Sequence, residues 1–84
     1  LEELAAELIS FMQDAYPGVL AEKYTINEKQ NSYSVLEAIA ESRHCLVRGN
    51  ELDTAKAAGM LLDDFRNGRL GRITLEFVKE YTNE

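Results

Sequence analysis

The sequence predicts a small all-α domain, a bundle of four main helices. Three observations carry that expectation. Apolar residues recur at spacings of three and four in successive segments, residues that start and stop helices fall between those segments, and no credible set of strands can be drawn. At 84 residues the chain allows one small domain with a modest core. No internal repeat or low-complexity segment stands out.

The first segment places Leu1, Leu4, Ala5, Leu8, Phe11, Met12 and Ala15 on one helical face, with Glu2, Glu3, Glu7, Ser10 and Asp14 elsewhere. Tyr16 precedes Pro17, whose ring disfavours helical geometry at the residue before it, so this helix stops near Ala15. Proline is tolerated in a first helical turn, so "PGVLAEKY" reads as a short second helix opened by Pro17 that carries Val19, Leu20 and Tyr24 inward. The polar run Thr25 to Ser34 has little periodicity and reads as the longest loop, pinned by Ile26 or Tyr33.

Ser34 and Glu37 form an S-x-x-E capping box, in which each side chain satisfies a backbone N–H of the other, and a third helix follows to about Arg43. Its buried stripe is Val35, Leu36, Ile39 and Ala40. Gly49 and Asn50, which tolerate positive φ, turn the chain, and Asp53 caps a fourth helix. That helix carries Ala55, Ala58, Leu61, Leu62 and Phe65 at helical spacing and ends where Gly68 supplies a left-handed cap. The tail from Thr74 reads either as a short fifth helix or as a strand-like extension.

Composition narrows the function. The net charge of −6 argues against a domain that coats nucleic acid over its whole surface, so any polyanion contact is local. No apolar run approaches the length that crosses a bilayer, and no basic leader with a cleavage site is visible. Cys45 is the single cysteine and has no partner for an internal disulfide, which fits a reducing compartment. Catalytic machinery is not evident. His44 and Cys45 are adjacent and cannot supply a tetrahedral metal set, and they read as a turn histidine beside a buried cysteine. Asp63 and Asp64 point in different directions from a helix and do not form an acid–base pair. Gly68 and Gly71 do not belong to a G-x-x-x-x-G-K-[ST] phosphate loop.

Arg66, Arg69 and Arg72 are the unusual feature, a basic series at intervals of three in an acidic chain. One reading is structural: they straddle the end of the fourth helix, favoured by its dipole and paired with Asp63 and Asp64. The other is functional: Gly68 and Gly71 admit a ligand close to the backbone while guanidinium groups fork onto phosphate oxygens. Arg43, His44 and Arg48 lie just before the fourth helix and would join the same patch, or form a second, if the fold brings them there.

The ordered segments "LISFMQDAYPGVLAEKY" and "VLEAIAESRHCLVRGNELDTAKAAGMLLDDFRNGRLGRITLE" resemble the C-terminal domain of the ribosome biogenesis GTPase A family. The most specific element is D-x-x-x-A-x-x-x-L-L-x-D-F-R-x-G-x-L-G-R-I-[ST]-L-E, here Asp53 to Glu76. The resemblance implies a helical domain similar to the ANTAR class of RNA-binding domains. It covers residues 1–76 and leaves 77–84 as a tail without assignment. It further implies a cytoplasmic factor for late maturation of the large (50S) ribosomal subunit, in which a circularly permuted GTPase domain precedes this one. The expected partners are large-subunit rRNA, the assembly particle and that GTPase domain, with no membrane or DNA partner. GTP and Mg²⁺ are expected in the GTPase domain and no cofactor in this chain. Phosphate contact falls to Arg66, Arg69, Arg72, Arg43 and Arg48, with protein interaction as the alternative role. His44 and Asn50 stand where the family pattern usually has glycine, which puts the geometry of their turns in question.

Overall fold

The computed structural model describes residues 1–71. Four helices make up the described fold: α1 (Glu2–Ala15), α2 (Val19–Tyr24), α3 (Ser32–Ser42) and α4 (Thr54–Arg66). α1, α3 and α4 pack against one another and short α2 leans on α1. The all-α expectation holds. The expected fifth helix, the tail 77–84 and Arg72 lie outside the described residues.

The core forms where the apolar stripes meet: Ala5, Leu8, Ile9 and Met12 from α1, Leu20 and Tyr24 from α2, Val35, Leu36, Ile39 and Ala40 from α3, and Ala57, Ala58, Leu61 and Leu62 from α4. Leu1 and Ala15, expected on the buried face of α1, are exposed at its two ends, although the Leu1 side chain still lies beside Gly59 of α4. On α4 the buried small residues are Ala57 and, as expected, Ala58, and Ala55 faces solvent. Alanine is compatible with either side, so the larger Leu61 and Leu62 set the rotation of that helix.

Two helix starts differ from expectation. Pro17 lies in a turn before α2, and Gly18, at φ 94°, is the N-cap. The cap is supplied through space by Glu28, whose carboxylate accepts the Gly18 N–H at 2.8 Å and the Ala21 N–H at 3.0 Å. That pairing draws the loop inward and buries Glu28, while Tyr33 stays exposed and Ile26 packs on the core. Gln13 of α1 holds the same loop from the other side by donating to the Glu28 and Gln30 carbonyls, both at 2.7 Å. The α3 cap is Asn31, whose side chain accepts the Ser34 N–H at 2.9 Å. The Ser34–Glu37 capping box therefore does not form, because Ser34 is already inside the first turn.

α3 and α4 end alike. At α3 the His44 N–H bonds to the Glu41 carbonyl and the Cys45 N–H to that of Ala40. At α4 the Gly68 N–H bonds to the Phe65 carbonyl and the Arg69 N–H to that of Asp64. Both are Schellman pairs, which need a left-handed residue after the cap. His44 and Gly68 supply it, at φ 57° and 75°. The connection to α4 closes with an antiparallel bridge between Leu46 and Leu52, with Gly49 and Asn50 both at positive φ. Asp53 caps α4 as expected, accepting the Lys56 N–H at 3.0 Å.

Candidate nucleic-acid interface

Tyr24 organises the site. An inward-facing tyrosine needs a partner for its hydroxyl once water is excluded, and Asp64 provides it. The Tyr24 hydroxyl donates to Asp64 Oδ2 at 2.7 Å, joining the end of α2 to the last turn of α4. The other carboxylate oxygen of Asp64 accepts from Arg69 at 3.0 Å. Because the Schellman bond also ties the Arg69 backbone N–H to the Asp64 carbonyl at 2.9 Å, Arg69 is fixed to Asp64 at both backbone and side chain.

Arg43 reaches the same tyrosine from α3. Its guanidinium carbon stands 5.0 Å from the centre of the Tyr24 ring, within cation–π range. It also donates to the Lys23 carbonyl at 3.0 Å, and next to it Ser42 donates to the Tyr24 carbonyl at 2.7 Å. The end of α2 is thereby clamped between α3 and α4.

The electrostatics follow from this packing. Burial, then the hydrogen bond to Asp64 and its charge, push the Tyr24 phenol well above its ordinary range, with Arg43 and Arg69 pulling weakly the other way. Partial burial pushes the Asp64 carboxyl up. The hydrogen bonds from Tyr24 and Arg69 and the charges of Lys23 and Arg69 outweigh it, and the carboxyl sits below its ordinary value. Lys23 and Arg69 thus act on the half-buried Asp64, and Arg43 and Arg69 on the buried Tyr24 to which it is bonded. With two cations on the carboxylate and a third, Arg43, over the Tyr24 ring, positive charge gathers locally on a chain whose net charge is −6.

The expected site residues divide accordingly. Arg43 and Arg69 come together through Tyr24 and Asp64. Arg66 pairs with Asp63 at 3.5 Å, both side chains well exposed, and Asp63 is turned about 100° around the helix from Asp64. Arg48 is exposed in the turn before α4, and no contact ties it to the Tyr24–Asp64 pair among the described residues. Arg72 lies outside them. The structural reading of the arginines is therefore correct for Arg66–Asp63 and Arg69–Asp64 as pairs, while Arg69 keeps about half of its side chain exposed. Tyr24, Lys23 and Asp64 were not expected as site residues; the available signal was the polar end of an inward tyrosine.

A shallow cleft of about 350 Å³ adjoins the cluster, lined by Val19, Glu22, Lys23, Arg69, Leu70 and Gly71. No group of three or more His, Cys, Asp or Glu placed to hold a metal ion occurs among the described residues, and none of their helices is long and apolar enough to cross a membrane.

No protein-family model and no solved structure matches the chain. Curated relatives do. The chain is 33% identical over 82 residues to ribosome biogenesis GTPase A of Bacillus cereus, which takes in 96% of this chain and 28% of that protein. The protein of the same name from Priestia megaterium is 27% identical over 81 residues, 95% of this chain and 28% of that one. That from Bacillus licheniformis is 26% identical over 77 residues, 90% and 27% respectively. The chain spans little more than a quarter of the length of these relatives. Matched along nearly all of its own length by several such proteins, it fits a C-terminal fragment of ribosome biogenesis GTPase A.

Proposed function

We propose that this chain is the rRNA-docking domain of a ribosome-assembly GTPase and seats that enzyme on the maturing large subunit in the cytoplasm. The relatives' names support the assembly role. The observation that carries docking is the gathering of Lys23, Arg43 and Arg69 around Tyr24 and Asp64 on an acidic protein. A few fixed cations grip phosphate, and the negative charge elsewhere opposes indiscriminate RNA binding. In this reading residues 1–76 form the docking domain, and hydrolysis, GTP and Mg²⁺ belong to a GTPase domain outside this chain, whose own residues include no phosphate loop.

A second reading has its own observation. Leu46, Val47 and Leu52 are exposed together on the bridged turn between α3 and α4, an apolar tip suited to packing on the GTPase domain or a ribosomal protein. One titration separates the two. The chain is titrated against large-subunit assembly particles over a salt series, beside Arg43→Ala/Arg69→Ala and Leu46→Ser/Leu52→Ser variants. Docking on rRNA requires binding that weakens steeply with salt and is lost in the arginine variant. Salt-insensitive binding lost only in the leucine variant overturns it in favour of the protein interface.

A further inference from the structure

Resting on the docking reading, we infer that the cleft beside the basic cluster is a seat for one unpaired nucleotide of the bound RNA, with Lys23 as a phosphate ligand. Lys23 and Arg69 lie on its lining, Val19 provides apolar surface, and Leu70 completes the lining. Leu70 is buried and Val19 half-buried, so this surface belongs to the packed body of the domain. Gly71, at φ 92°, has none of the described residues within 4 Å of where a Cβ would stand. About 350 Å³ falls at the small end of the range for clefts that hold small molecules.

The mixture of surfaces argues for a splayed nucleotide over a duplex. A duplex presents phosphates and sugars to such a face and has no use for an apolar floor. An unstacked base does, and bases in loops and bulges are read by stacking on apolar, aromatic or guanidinium planes. The Arg69 guanidinium is held by Asp64 at 3.0 Å, which fixes a plane at the edge of the cleft. Among the described residues Glu22 is the one carboxylate on the lining, and it offers an acceptor to a base amino group or a ribose hydroxyl. Lys23 contributes the point charge for the phosphate that enters with the base.

The test is an amide-resolved NMR titration of the chain with a short mixed-sequence single-stranded RNA and, separately, with an RNA duplex of equal phosphate count. The single strand should bind about tenfold more tightly, the worth of one stacked base, with shifts at Val19, Leu70 and Gly71. Lys23→Ala should weaken both ligands, and Val19→Phe, which fills the cleft, should erase the preference. Equal binding of both RNAs, still dependent on Arg43 and Arg69, overturns the nucleotide seat and leaves docking intact. Failure of both RNAs to bind removes docking on rRNA together with the seat. If Val19→Phe does not fold, the wild-type shifts decide: a pattern confined to Arg43 and Arg69 overturns the inference.

Discussion

The Tyr24 hydroxyl and the Asp64 carboxylate meet at 2.7 Å across forty residues of sequence. Their bond both closes the bundle and sets out the basic face, because Arg69 is held by the same carboxylate and Arg43 lies over the same ring. Stability and binding therefore respond together to changes here, and the first prediction uses that coupling.

Tyr24→Phe keeps the ring under Arg43 and removes the hydroxyl. A hydrogen bond to a charged group is worth about 1.5–3 kcal/mol, and Arg69 remains to satisfy part of Asp64. Urea denaturation should show a loss toward the lower end of that range, with the helical circular dichroism spectrum retained.

The pH dependence of the same pair has a definite sign. The ordinary tyrosine value is 10.0, and Tyr24 is held well above it. The folded chain keeps this proton where the unfolded chain releases it, so the contribution is full below about pH 10 and declines as pH rises beyond it. Asp64 works in the opposite direction. Its folded value lies below the ordinary 3.8, so its contribution is present above that pH and is lost as pH falls through the folded value. The stability advantage of wild type over Tyr24→Phe should shrink when urea melts are repeated above pH 10.

The caps can be ranked by substitution. Asn31→Ala should cost about 1 kcal/mol and Ser34→Ala close to nothing, because Asn31 accepts the Ser34 N–H. A working Ser34–Glu37 capping box would give the reverse order in thermal denaturation.

His44 occupies a left-handed position at φ 57° that glycine takes without strain. His44→Gly relieves that strain and adds some freedom to the unfolded chain, for a net gain of up to about 1 kcal/mol. A melting temperature below that of wild type would show that the His44 side chain makes a compensating contribution.

Among the arginines, Arg43→Ala and Arg69→Ala should each reduce the salt slope of RNA binding by about one, and Arg66→Ala should change it less. Arg66 is paired outward with Asp63, whereas Arg69 is fixed in place by Asp64. Filter-binding titrations over a salt series give the three slopes directly.

Local pattern carried most of the fold. Leu8 with Met12, Leu36 with Ile39 and Ala40, and Ala58 with Leu61 and Leu62 fall at spacings that a helix gathers on one face, and Asp53, Gly49, Asn50 and Gly68 act where their backbone preferences indicate. The errors arose where two local rules competed or a distant group intervened. Pro17 suits a helix start equally with a turn, and Glu28, a loop residue eleven positions on, decided between them by accepting the Gly18 N–H. Two potential caps lay three residues apart, and Asn31 took the earlier turn. The basic series was conspicuous in sequence, but its division was not. Arg43 and Arg69 are 26 positions apart and share a site only because Tyr24 is buried between their helices. Lys23 carries no local signature beyond its charge.

Cys45 lies sealed beneath the Leu46–Leu52 turn, with its backbone N–H on Ala40 and its carbonyl on Asp53. As the single thiol of the chain, it can meet an aqueous alkylating reagent only when the corner between α3 and α4 opens. Its labelling rate is thus an intrinsic clock for that opening. Because Arg43 stands two residues before it, the same clock registers how firmly the guanidinium over Tyr24 is held, and slower labelling on addition of RNA would report the corner closing down on its ligand.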